Sequence, residues 1–352
     1  MYPRLEINLK KLEHNTRLIR QMCERHNVKI WGVTKCFCAN PMAAMAMLKG
    51  GADMLADSRI ENLKKLKDIP CKKVLLRIPM HCEVNDVVLY SDYSQNSELS
   101  TLKLLGEAAQ KIGKIHNVII MLDLGDLREG VWPDNIDEFV GEAVKIKGIE
   151  IKGFGVNLTC YGGVIPDEIN LSKLVEISKD MGEKYNLDVE IISGGNSSSL
   201  YLLKESRLPK GINNLRVGEA ILLGRETAFG ERLDGLYDDA FVLKAQIVEL
   251  KEKPSVPIGN IGMDAFGGKP VFEDKGMMKR AIAAMGRQDI DINLIRPFDD
   301  DIKLIGASSD HTILDITNSK KNYKVGDAVE FYLDYGGLLK AATSEYVHKI
   351  LI

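Results

Sequence analysis

A chain of 352 residues is long for one hydrophobic core, so two domains are expected, or one barrel of about 250 residues with an addition. With 45% hydrophobic and 28% charged residues and a net charge of −3, the composition is that of a globular protein with no basic footprint for nucleic acid or an anionic membrane. No apolar run approaches a membrane span, the first residues carry no apolar signal core, and the six cysteines lack the paired spacing of a zinc site; a cytoplasmic protein with reduced thiols and no metal is expected.

Residues 5–9 alternate as a short strand, and residues 10–25 place Leu12, Leu18, Ile19 and Met22 at helical spacing. Residues 28–34 are apolar and rich in β-branched side chains, as in a parallel strand covered on both faces. Lys35 falls at the C-terminal end of that strand, the edge where α/β folds bind ligands. Partial desolvation there favours the neutral amine and suits a Schiff base with a carbonyl compound such as pyridoxal phosphate. On this stretch alone a snorkelling lysine, the ordinary behaviour of such a side chain at a strand end, is the commoner reading.

An Ala/Met-rich helix over 42–49 stops at Gly50 and Gly51, and a two-beat alternation begins. Strand patterns recur at 53–56, 73–78, 93–96, 118–124, 149–158, 189–193 and 215–221, with helical patterns at 60–67, 98–112, 136–146 and 171–185. With the lysine strand these make eight units in about 200 residues, which predicts a (β/α)8 TIM-type barrel over residues 10–232. The doubly wound alternative lacks a G-x-G-x-x-G after its first strand. From residue 233 the texture changes. Short β-rich runs at 241–250, 280–285, 303–305, 312–316 and 328–333, divided by Gly, Pro, Asn and Asp, predict a C-terminal antiparallel β-domain.

Four segments at predicted strand ends carry polar residues. Residues 193–199, Ser-Gly-Gly-Asn-Ser-Ser-Ser, combine glycines with hydroxyl donors, as a phosphate loop after the seventh barrel strand does; a polar loop capping a helix reads the same way. Arg216 and Gly218 follow in the eighth strand. An arginine in the barrel mouth could face a pyridine nitrogen and keep it unprotonated, or pair with a nearby acid. Residues 123–130 and 157–161 could line the mouth or cap the helices that follow.

The order of these motifs over the whole chain resembles the alanine racemase-like, fold-type III pyridoxal-phosphate enzymes. The matching segments are residues 5–9, the Asn15 helix, Val33-Thr34-Lys35, Asp123 to Gly130, Gly194 to Ser197, and Arg216 to Glu219. The resemblance implies an amino-acid racemase with pyridoxal 5'-phosphate on Lys35. Asn196, Ser197, Gly218 and Glu219 would lie around the phosphate, Arg216 at the pyridine nitrogen, and Arg128 near the substrate carboxylate. It also implies that residues 1–9 join the β-domain, and that this domain reaches the active site of a partner subunit in a homodimer.

Two departures leave the second acid/base open. Residues 286–289, Gly-Arg-Gln-Asp, put Arg287 where the alanine enzymes carry a tyrosine base, and Ala39 stands where they often place a phosphate-binding tyrosine. His311 and Asp289 are the candidates for the face opposite Lys35. Asp310 stands where related decarboxylases place an aspartate for a distal ammonium, so a diamino acid, ornithine first, is the expected substrate, with alanine or lysine as alternatives. A basic amino-acid decarboxylase and a non-catalytic cofactor-binding protein are the other readings; Arg216 argues against the first and the added β-domain against the second.

Overall fold

The computed structural model describes every residue except position 265. The chain forms two compact units, residues 9–237 and residues 1–8 with 238–352. It opens with β1 (Arg4–Ile7), a strand of the second unit, and then enters the first.

In the first unit, β2 (Lys29–Val33), β3 (Met54–Asp57), β4 (Lys73–Leu75), β5 (Tyr93–Asn96), β6 (His116–Leu122), β7 (Ile149–Val156), β8 (Ile191–Ser193) and β9 (Asn214–Val217) close into a parallel barrel. The ring closes between β2 and β9, with Trp31 opposite Arg216 and Gly32 opposite Val217. The helices are α1 (Leu9–Glu24), α2 (Pro41–Lys49), α3 (Ile60–Lys65), α4 (Val84–Tyr90), α5 (Leu99–Lys111), α6 (Ile136–Ala143), α7 (Glu168–Tyr185), α8 (Leu200–Lys204) and α9 (Glu219–Leu223).

Local chemistry explains these elements. In α1, Leu12, Thr16, Ile19 and Cys23 form the buried stripe of an amphipathic helix. Asn40 caps α2 by accepting from Met42 N at 3.0 Å and Ala43 N at 3.2 Å, with Pro41 at the first helical position. The run Val118 to Leu122 in β6 is buried at every residue because it is covered on both faces. Its side chains divide between an inner cluster with Trp31, Val33, Ala56, Val74, Tyr93 and Ile191, and an outer one under the helices with Phe154, Leu171 and Leu174. Buried Asn15 donates to Ile221 O at 2.9 Å and Tyr237 O at 2.8 Å and accepts from Tyr237 N, tying α1 to the end of the unit.

The eighth barrel strand is shorter than its apolar run. It ends at Val217, because Gly218 turns the chain at φ −120° and ψ −78° and Glu219 to Leu223 coil into α9. Buried apolar runs of this length fit strand or helix equally.

The second unit contains β10 (Phe241–Pro254), β11 (Met277–Ala283), β12 (Ile295–Pro297), β13 (Lys303–Ala307), β14 (Thr312–Asp315), β15 (Ala328–Leu333), α10 (Tyr335–Thr343) and β16 (His348–Leu351). Its sheet runs β12-β15-β10-β11-β14-β13, antiparallel throughout. Phe241, Leu243, Ala245 and Ile247 of β10 are fully buried at alternate positions, the period of a strand with one covered face. β1 pairs antiparallel with β10, Leu5 opposite Leu243, and parallel with β16. Among the described residues, no helix is long and apolar enough to cross a membrane.

Candidate active site

Lys35 begins a 3-10 turn, Lys35–Phe37, directly beyond β2, and its side chain is half-buried at the C-terminal end of the barrel. The turn is tight: Cys38 and Ala39 both adopt left-handed φ, 54° and 50°. Gly218 packs against this strand from β9, since a Cβ there would lie 3.2 Å from Val33 Cβ.

The turns after β8 and β9 are stitched together. Asn196 caps the turn Ser197–Ser199 by accepting from Ser198 N at 2.9 Å, and its amide donates to Leu158 O at 3.0 Å and Asn157 Oδ1 at 3.2 Å. Ser197 Oγ accepts from Ala220 N at 3.1 Å, joining this turn to the first turn of α9. Glu219 pairs with Arg225 at 3.2 Å.

Arg216 is 3% exposed and spans the barrel interior. Its Nη1 donates to Ser193 Oγ at 2.5 Å, and its Nη2 to Val156 O at 2.7 Å and Asn157 Oδ1 at 3.3 Å. With its amide turned to satisfy both neighbours, Gln95 accepts from Arg216 Nε at 3.3 Å and donates to Leu76 O at 2.9 Å. Burial lowers the Arg216 guanidinium to about 10, with the charge of Glu129 acting against this, so it stays a cation at neutrality. Arg128 is exposed at the same end, paired with Glu129. Burial works to lower its pKa, but the bond and charge of Glu129 outweigh that and hold it above its ordinary value.

Three further candidates lie in the β-unit and are brought together there. Arg287 N donates to Ser308 O at 2.9 Å and Gln288 N to Ser309 O at 3.0 Å, so the 286–289 turn rests on the 306–311 loop. Asp310 Oδ1 meets His311 Nδ1 at 2.8 Å, and both side chains are more than half exposed. Asp289 is different. It is 3% exposed, with its carboxylate accepting from Ser344 Oγ at 2.8 Å and Gly286 N at 3.5 Å. Asp289, a candidate for the face opposite Lys35, is thus buried and holds the 286–289 turn in place, while His311 is the exposed one of the two candidates.

Gln95, Ser193 and Asn157 fix the Arg216 guanidinium, a role the sequence reading did not assign. One signal was available: in β5, Ser94, Gln95 and Asn96 are all polar and all buried, which an ordinary barrel strand avoids.

A family model described as the alanine racemase N-terminal domain matches residues 7–226. The chain belongs to the alanine racemase family. The ornithine racemase of Acetoanaerobium sticklandii is 55% identical over the full length of both chains. The lysine racemase of Thermotoga maritima is 41% identical over 99% of this chain and 98% of its own. Among solved structures, the alanine racemase of a D-cycloserine-producing Streptomyces lavendulae superposes with a TM-score of 0.78 over 100% of this chain and 98% of its own, at 17% identity, a likeness of fold.

The donor set of this family member fits pyridoxal phosphate. Lys35 supplies an amine. Ser197 is 3% exposed and its hydroxyl proton finds no acceptor among the described residues, which suits a phosphate oxygen. Ser198 Oγ and Asn157 Nδ2 are buried without hydrogen-bond partners among the described residues. Arg216 offers a fixed cation with no carboxylate bonded to it among the described residues.

Proposed function

We propose that this protein is a pyridoxal-phosphate-dependent racemase interconverting L- and D-ornithine. The observation that carries the reading is Lys35 at the C-terminal mouth of a closed barrel whose interior is crossed by a buried, charged Arg216, in a chain 55% identical to an ornithine racemase throughout.

Lys35 would hold the cofactor, Ser197 with the backbone of Gly218 and Glu219 its phosphate, and Arg216 its ring nitrogen, with Asn196 fixing the phosphate loop. Bound there, pyridoxal phosphate supplies an electron sink for the carbanion formed at Cα. Lys35 Nζ takes the α-proton from one face of Cα or returns it there. Arg216, held by acceptors on β7 and β8, keeps a fixed cation opposite rather than an exchangeable acid. Arg128 would bind the substrate carboxylate, a pairing suited to its planar fork.

Inversion needs a proton carrier on the other face of Cα. The exposed His311, oriented by Asp310, is our candidate, supplied by the β-unit of a second copy in a homodimer. Asp310 would also meet the distal ammonium of a diamino acid. The six free cysteines suit a reducing compartment, and we place the enzyme in the cytoplasm.

The test is α-proton exchange and loss of optical rotation with L-ornithine, L-lysine and L-alanine in D2O. Ornithine is expected to racemise fastest with deuterium uptake at Cα. Lys35→Ala should abolish exchange and the visible band of the bound cofactor. Release of CO2, or full activity in Lys35→Ala, would overturn the reading.

A further inference from the structure

Asp57 ends β3 fully buried, and none of the roles above uses it. Its Oδ2 accepts from Thr34 Oγ1 at 2.6 Å, and its Oδ1 from Arg59 N at 2.9 Å and Asn62 Nδ2 at 3.1 Å. Thr34 is the residue before Lys35, and its backbone N–H donates to Ala56 O at 2.9 Å. Two successive residues of β3 thus grip the last residue before the lysine turn.

The Asx turn that launches α3 accounts for Oδ1 alone, and an asparagine would make that turn equally well. The second oxygen, aimed at Thr34, calls for a different explanation. Other acids at this end of the barrel are already committed. Glu83 pairs with Arg77 at 3.0 Å, Glu129 with Arg128 and Glu219 with Arg225. Asp123 holds Gly125 N and Leu127 N, and Asp126 holds Tyr161 N and Val164 N. Asp57 meets only donors: Thr34 from the end of β2, and Arg59 N and Asn62 at the start of α3. Among the described residues no lysine or arginine side chain is bonded to it, and the charge that acts on it is that of Lys35. Burial pushes its carboxyl above the ordinary value, against the three donors and Lys35.

We propose that Asp57 is a positioning residue for Lys35: through Thr34 it fixes the turn from which the lysine departs, and its carboxylate is the counter-charge of the Lys35 nitrogen. When the α-proton moves from Cα to Lys35 Nζ, the charge of Asp57, tied to the neighbouring Thr34, would favour the ammonium that forms. The proposal rests on the reading of Lys35 as the proton-moving, cofactor-linked lysine.

The experiment compares the wild-type holoenzyme with Asp57→Asn, Thr34→Val, Thr34→Ser and Lys35→Ala. It reads the pH titration of the visible cofactor band, thermal melting, and kcat and KM for L-ornithine. Asp57→Asn keeps the Asx turn and removes the charge, so the midpoint of the titration should fall by about one unit, since a lost anion disfavours the protonated nitrogen. Its kcat should drop on the order of tenfold while KM stays near wild type. Thr34→Val should lower kcat similarly and Thr34→Ser should restore it, and this pair decides the matter if Asp57→Asn does not fold. A wild-type titration and kcat in Asp57→Asn, or wild-type kcat in Thr34→Val, would overturn the role of Asp57 while leaving Lys35 in place. A visible band that survives Lys35→Ala would overturn both.

Discussion

Burial acts on two bases of the barrel, Arg216 and His116, and leaves one charged and the other neutral. Arg216 starts so high that a fall to about 10 keeps its proton. His116 starts at 6.5 and is pushed to about 4, chiefly by burial and further by the charge of Lys114. Its Nε2 lies 2.8 Å from Ser94 Oγ, which satisfies a neutral ring. The sign of the consequence follows. Between about 4 and 6.5 the unfolded chain binds a proton that the folded barrel refuses, so stability is present above that window and is lost as pH falls through it. Between pH 7 and pH 5 the barrel should lose about 2 kcal/mol of unfolding free energy from this one group. His116→Gln should flatten that slope. Trp31 and Trp132 are the only tryptophans and both lie in the barrel unit, so denaturant unfolding followed by tryptophan fluorescence reads the barrel alone. An unchanged slope in the variant would remove His116 as the cause.

At the scale of elements, the loop after β6 shows how a short segment is held in place to present Arg128. It closes on its own strand through Val131 N to Met121 O at 2.7 Å and Asp123 N to Val131 O at 3.1 Å. Gly130 makes this possible: its φ is +144°, and a Cβ would sit 2.3 Å from Asp123 N. Gly130→Ala should therefore cost about 2–4 kcal/mol of stability and raise KM through the displaced arginine, read by thermal melting and steady-state kinetics. An unchanged melting temperature would mean that the loop can relax around a methyl group. The glycine and the aspartates of this segment were legible in the sequence because turn chemistry is local. So were the long or strongly periodic elements, among them β6, α5 and α7. Residues 84–90, 200–204 and 219–223 are not recognisable as helices in the sequence, because one or two turns are too short for a helical period to stand out from a strand. The same holds for β12 and β16, of three and four residues, which exist only through pairing with distant strands. The bond from Ser344 to the Asp289 carboxylate is not legible in the sequence, because the two residues lie 55 positions apart and meet only in the folded β-unit.

At the scale of the whole molecule, the proposed chemistry is divided between two units of one chain. Lys35, Arg216 and Ser197 stand in the barrel; Asp310 and His311 stand in the β-unit on a loop braced by the 286–289 turn. If a second copy supplies the latter pair, no subunit alone holds a complete site, and each site of a homodimer draws its barrel from one chain and its loop from the other. That arrangement has an arithmetic signature. Lys35→Ala and His311→Ala should each be inactive as homodimers. In a mixed dimer, one site combines both lesions and the other is wholly wild type, because the Lys35→Ala chain contributes an intact His311 to the barrel of its partner. Random assembly of the two variants in equal amounts makes half of the dimers mixed, so co-expression should recover about a quarter of wild-type racemase activity. The check is activity of the co-expressed pair, with two affinity tags to isolate the mixed species. Recovery would identify the dimer as the catalytic unit. Activity no greater than that of the separate variants, in isolated mixed dimers, would place both groups at the site of one chain and end the shared-site proposal.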